Sequence, residues 1–262
     1  MAEHKGVMIA GELLEGKLAS ITAELLGVGR KLADQLGQEL SAVLVGSGIA
    51  DMAKEAIAFG ADKVYVIDNL LFKDYLTDSY VGALEKLTRD VRPEILLLGQ
   101  TPMGRDLAPR LAFRLGTGVT LDCIALAIDP ETKLLQKTKP VYGGNALAVY
   151  VSEGRPQMAT ARIKSMEPLE KNASRKGQVV PFDPAVDQAK LRAKVINRVK
   201  EEVVGIKLED AAIVVCGGRG MGGPEPFKQL TELAKLLNGA MGATRPPCDS
   251  GWVPTSVQIG LT

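Results

Sequence analysis

The chain has 262 residues, 46% of them hydrophobic, and its 32 basic side chains nearly cancel its 31 acidic ones. That length fits one large domain or two, and the balanced charge gives no field to draw the chain onto nucleic acid or an anionic membrane. Three dispersed cysteines (Cys123, Cys216, Cys248), a single histidine (His4) and no apolar run long enough to cross a bilayer argue against a disulfide framework, a Cys/His metal centre, histidine-based catalysis and membrane insertion, and lead to the expectation of a cytoplasmic protein.

The first 115 residues or so alternate strand and helix. GVMIAGE reads as a short strand, and Leu18, Ile21, Leu25, Val28, Leu32 and Leu36 recur at helical spacing after it. SAVLVG, DKVYVID and EILLLGQ are further strands. Between them lie a helix closed by Gly60 and a long helix from about Lys73 to Val91, stopped by Pro93. MGRDLAPRLAFRLG is the next helix. Buried strands separated by helices of this length predict a parallel sheet covered on both faces. The pattern then changes. VTLDCIALAID, KLLQKTKPVYGG, ALAVYVSEG and QMATARIKSM are strand-like with turn signals between them, and predict an antiparallel extension of the same domain. Residues 167–206 begin with a polar, proline-containing stretch that predicts a linker or extended arm, and within them KVINRVKEEV suits a strand or a short helix. A second α/β unit is expected from 207 to 262, after a first domain over 1–166.

The second unit carries the chemistry. In VVCGGRGMGG, Gly218, Gly220 and Gly223 fit G-x-G-x-x-G between a strand, AAIVVC, and a helix, PFKQLTELAKLLNG. Such a loop lets backbone N–H groups approach a phosphate, and Arg219 adds a fixed cation. A nicotinamide-binding fold needs an acidic residue at the end of the next strand. Here that strand, AMGATR, ends in Thr244-Arg245, and Pro246-Pro247 then fixes the backbone direction. A guanidinium held in this way can stack on a flat ring or stabilise an anionic one. An ordinary strand–helix turn with a surface arginine remains the plain alternative for each motif taken alone.

Together, GGRG, GATRPPCDSGWVP and QIGLT resemble the flavin domain of the electron transfer flavoprotein alpha subunit, and LLLGQTPMGRDLAPRLAFRLGTG with KPVYGGNA resembles its first domain. The resemblance covers nearly the whole chain. It implies an N-terminal α/β sandwich of adenine-nucleotide-hydrolase type, with an antiparallel extension, that contacts a beta subunit, followed by a C-terminal α/β domain that holds FAD and exchanges electrons with an acyl-CoA or other dehydrogenase. Carried over by motif, Arg219 lies near the flavin or its pyrophosphate and Thr244 and Arg245 meet the isoalloxazine. Gln258, Ile259, Gly260, Leu261 and Thr262 form the next flavin-binding turn. A cation at the ring favours its reduced, anionic forms, and the task needs no general base. The resemblance also implies chain beyond Thr262, so the flavin domain is expected to be incomplete and FAD binding weak or absent. The alternative is a nucleotide-binding or scaffold module of the same complex without flavin. Whether the complex bifurcates electrons or only shuttles them is left open.

Overall fold

The apolar run after Gly6 forms β1 (Val7–Gly11), in which Val7, Met8 and Ile9 are wholly buried. Successive side chains of a strand point to opposite faces. Val7 and Ile9 therefore enter one hydrophobic core, while Met8 and Ala10 enter another. This computed structural model describes residues 3–14, 16–197, 206, 208 and 211–260. It divides into two units, Met1–Ile196 and Asn197–Thr262.

In the first unit a small hairpin, β2 (Leu13–Leu14) and β3 (Lys17–Leu18), leads into α1 (Ser20–Leu36). Then come β4 (Leu40–Gly46), α2 (Met52–Ala58), β5 (Lys63–Asp68), α3 (Thr77–Val91), β6 (Ile95–Gly99) and α4 (Pro102–Leu115). The helix expected from Lys73 begins at Thr77, after a 3-10 turn at Leu70–Phe72 that the Asn69 side chain caps. Ile21, Leu25 and Leu32 of α1 and Ala53 and Ile57 of α2 fill the first core. Leu84 and Leu87 of α3 and Leu107 and Leu111 of α4 fill the second. Helices thus cover both faces, as the unbroken apolar strands require.

The rest of the unit departs from the expected antiparallel extension in one respect. VTLDCIALAID is not one strand. Its first half is β7 (Val119–Cys123) and its second is β8 (Ala125–Ile128). Asp122, at φ 65, bulges β7 just before its last residue, where its register with β11 shifts, and the chain then bends at Ile124 into β8. β8, β9 (Leu135–Val141) and β10 (Ala146–Tyr150) make the antiparallel sheet, ordered β10-β9-β8. β7 and β11 (Gln157–Ala161) instead join the main sheet in parallel. β11 is buried throughout, which suits a strand with helices on both sides.

The stretch expected as a linker or arm starts as a strap over the first unit. The Glu24 carboxylate, itself buried, accepts the Lys164 and Met166 N–H groups at 3.1 and 3.3 Å. Gly27 and Gly60 leave room for Glu167 and Leu169. Asp62 then takes guanidinium contacts from Arg30 at 2.6 Å and Arg175 at 2.9 Å, and the Leu40 N–H at 2.9 Å. Burial works to raise the Asp62 pKa, but that N–H and the Arg30 and Arg175 guanidiniums outweigh it and hold the carboxyl below its usual range. The strap ends in β12 (Gln178–Pro181), which pairs in parallel with β5. The complete sheet has seven strands in the order β12-β5-β4-β1-β6-β11-β7. Residues 198–203 of KVINRVKEEV lie outside the described residues. No helix among the described residues is long and apolar enough to cross a membrane.

The second unit is built on β13 (Val214–Gly217) and β14 (Ala240–Ala243), paired in parallel with α5 (Pro226–Leu236) between them. Phe227, Ala243, Cys248 and Val253 form its small core. Trp252 packs on its margin, its ring centroid 6.5 Å from that of Phe227.

Candidate flavin site at the carboxyl edge of the second unit

Open parallel sheets bind ligands outside the carboxyl ends of their strands, where loops lead into helices. Two such ends adjoin in the second unit. β13 runs into Gly218 and a 3-10 turn, Arg219–Met221. β14 runs into Thr244 and α6 (Arg245–Asp249). The register places Gly217 beside Ala243, and the Thr244 N–H donates to the Gly217 carbonyl at 3.0 Å.

The glycines work differently from the fingerprint reading. Gly217, outside the motif, is the packing glycine. A Cβ there would come within 2.6 Å of Leu230 and 2.8 Å of Phe227, so its absence lets α5 lie against β13. Gly222, also outside it, takes the left-handed conformation at φ 78 that ends the 3-10 turn. Of the motif glycines, Gly218 faces Thr244, whose Oγ1 would be 3.3 Å from an added Cβ. Gly220 and Gly223 open onto free space. The helix starts only at Pro226, whose missing N–H removes one donor from its first turn. The loop's remaining N–H groups and Arg219 must therefore do more of any anion binding than the helix end.

The last segment closes against the same edge. The Ile259 N–H donates to the Ala243 carbonyl at 2.8 Å, and Gln258 forms a parallel bridge with Ala243. Gly242 makes the contact possible, since a Cβ on it would lie 2.9 Å from the Ile259 side chain. Arg219, Thr244, Arg245, Gln258, Ile259 and Gly260 thus come together around two strand ends. Arg219, Arg245 and Gly260 are exposed there, while Thr244, Gln258 and Ile259 are half-buried. Leu261 and Thr262 lie outside the described residues.

Arg245 has a partner that the sequence reading passed over. Its Nε donates to Asp249 Oδ2 at 3.0 Å, one helical turn on. The i,i+4 spacing of RPPCD is the signal that would have found it. Both side chains are more than half exposed, so the pair contributes at most about 1 kcal/mol. The guanidinium is held in place yet released at little cost. Cys216 is exposed on β13, whereas Cys248 is buried in the core.

The corresponding crevice of the first unit is closed. Its strand order reverses between β1 and β6, the point where a sheet of this kind would take a nucleotide. The Glu12 carboxylate occupies that point and accepts the Thr101 hydroxyl at 2.7 Å. Burial raises the Glu12 pKa, and the Thr101 hydrogen bond offsets part of the rise. The cavity behind it measures about 10 Å³, room for about one water. No group of side chains suited to a metal ion occurs among the described residues.

These features define a two-unit α/β protein whose second unit has the form of a cofactor domain. The profile of the electron transfer flavoprotein domain matches residues 7–187, and that of the electron transfer flavoprotein FAD-binding domain matches residues 207–262. The electron transfer flavoprotein subunit alpha of Thermoanaerobacterium thermosaccharolyticum is 43% identical over 263 residues, covering 100% of this chain and 79% of that protein. The subunit alpha of Megasphaera elsdenii is 40% identical, covering 100% and 78%. Protein FixB of Bradyrhizobium diazoefficiens is 38% identical, covering 99% and 71%. The chain belongs to the electron transfer flavoprotein alpha subunit family.

Proposed function

We propose that this chain is the FAD-holding partner in a two-subunit electron carrier, pairing with a beta subunit and exchanging electrons with acyl-CoA or other dehydrogenases. The observation that carries the reading is the convergence of Arg219, Thr244, Arg245 and the 258–260 segment on the carboxyl edge of β13 and β14. The residues fit the cofactor: two exposed guanidiniums, a half-buried hydroxyl facing a side-chain-free Gly218, and a loop with open space beside Gly220 and Gly223. FAD, when bound, supplies the ring that takes up and passes on electrons. The chain supplies charge and position. Arg219 offers a fork of N–H donors to the diphosphate. Arg245, held to Asp249 by an exposed pair, would bring positive charge to the ring, and Thr244 would offer its hydroxyl to it.

Pairing has its own support in the first unit. β10 is the edge strand of the antiparallel sheet, and Leu147, Val149 and Tyr150 on it are exposed, as is Val151 just beyond. An exposed apolar edge of this kind is a surface suited to cover by another chain. The nucleotide-module reading has less support, because Glu12 and Thr101 fill the crevice it would use.

The test is co-expression with the family's beta subunit, followed by the visible flavin absorbance of the purified complex. Wild type should hold FAD only weakly, at a measurable fraction of one per complex when FAD is supplied, and Arg219→Ala and Arg245→Ala should each lower that fraction while the complex stays intact. An intact complex that holds no flavin on this chain would overturn the cofactor role and favour the scaffold reading.

A further inference from the structure

A groove of about 810 Å³ runs between α3, α4 and the segment 184–192 on the first unit, remote in sequence from the flavin-domain motifs. Two carboxylates organise its cations. Glu85 holds Arg89 at 3.0 Å and Arg114 at 2.8 Å. Asp78 holds Arg110 at 3.3 Å and Arg192 at 3.6 Å. Each carboxylate is therefore shared by two guanidiniums, which leaves one positive charge in excess at each pair. Lys86 also lines the groove but is paired with Asp90 at 2.5 Å, so Asp187, a third carboxylate in the lining, lowers the excess of the four arginines to one positive charge. Phe113 stands on the α4 wall between Arg110 and Arg114 and is 83% exposed.

We infer that this groove docks an acidic segment of a partner protein, one that carries an aromatic or large aliphatic side chain among its carboxylates. The net positive charge selects the sign of the ligand. Guanidiniums already oriented by Glu85 and Asp78 can receive further carboxylates in bidentate geometry with little new ordering. Phe113, with Pro109 and Leu191 beside the groove, gives the apolar anchor that charge alone lacks, and aromatic and arginine side chains are the types that dominate binding energy at interfaces. The three carboxylates in the wall argue for a protein and against a nucleic acid, whose unbroken row of phosphates would lie against them.

The experiment uses the full-length chain and a fluorescein-labelled probe peptide of glutamates around one tryptophan, read by fluorescence anisotropy. The inference requires saturable binding of this peptide. Phe113→Ala should weaken it about tenfold, as truncating an interface anchor does. Arg110→Glu with Arg192→Glu should abolish it, and the same peptide with lysines in place of glutamates should not bind. Phe113 is surface-exposed, so its variant keeps the fold, and circular dichroism checks this. Absence of saturable binding to the glutamate peptide overturns the inference. So does a Phe113→Ala chain that binds as wild type, or inorganic polyphosphate that displaces the peptide equally from both, because either marks plain charge attraction.

Discussion

Gly27→Ala tests whether the strap after Ala161 is part of the first unit. Gly27 lies in the middle of α1, where alanine is preferred to glycine by about 1 kcal/mol of helix propensity. On local grounds the change should stabilise. A Cβ at this position, however, would overlap the Glu167 carbonyl oxygen and stand 3.1 Å from both the Glu167 carbonyl carbon and Pro168 Cα. These are backbone atoms and cannot swing aside, so the strap has to lift. Overpacking of this kind costs about 1–3 kcal/mol. Lifting also stretches the contacts from Lys164 and Met166 to Glu24, already 3.1 and 3.3 Å long. At about 1 kcal/mol or less each, they bring the total cost to about 3 kcal/mol against a gain of about 1. The net loss of about 2 kcal/mol corresponds to a melting temperature lower by about 4–8 °C for a chain of this size. Calorimetry reads the shift, and limited proteolysis should show faster cutting between 164 and 182. A melting temperature equal to or above that of the wild type would refute the reasoning, because propensity would then have outweighed packing.

Lys137 is 1% exposed, and its ammonium reaches only the Ser152 hydroxyl, at 2.7 Å, among its described polar contacts. Burial, with Arg155 adding to it, pulls its pKa below the ordinary 10.5. Its contribution to stability is thus fullest above 10.5 and is lost as pH falls toward the folded value. Lys137→Met should raise stability at neutral pH by about 1 kcal/mol or more and flatten the rise at alkaline pH, both measured by urea unfolding across that range; a less stable variant would count against this. Leu147→Asp with Val149→Asp should leave the melting temperature of the isolated chain within about 1 °C, since both side chains are more than half exposed. The same pair should prevent co-elution with the beta subunit on gel filtration. Co-elution at wild-type yield would move the pairing surface away from β10.

The fold was legible where one periodicity ran undisturbed. Val7, Met8 and Ile9 announce a strand buried on both faces, and the Leu18–Leu36 spacing announces its covering helix. It was less legible where a single residue redirects the chain. An apparent long strand bulges at Asp122 and bends at Ile124 into β8, and nothing in VTLDCIALAID marks an aspartate about to adopt positive φ. β12 is four residues ending in proline within a polar stretch, and it is a strand only because β5 offers an edge, where a proline is tolerated. At the candidate site the order of Arg219, Thr244, Arg245 and Gln258 was readable from motif alone. The division of labour among the glycines was not. Gly217 and Gly222 answer to the position of Leu230 and to the end of a 3-10 turn, which are three-dimensional demands that a spacing rule does not encode.

The parallel pairing of Val179 with Val64 also sets an order of events during synthesis. The partner of β5 leaves the ribosome about 115 residues after β5 itself, a separation that makes this pairing among the slower steps of folding. Until then the β5 edge presents unpaired N–H and C=O groups to every other nascent chain nearby. The strap therefore acts as the seal on a sheet otherwise finished, and a chain interrupted before Gln178 would leave the β5 edge open to pairing with a neighbour.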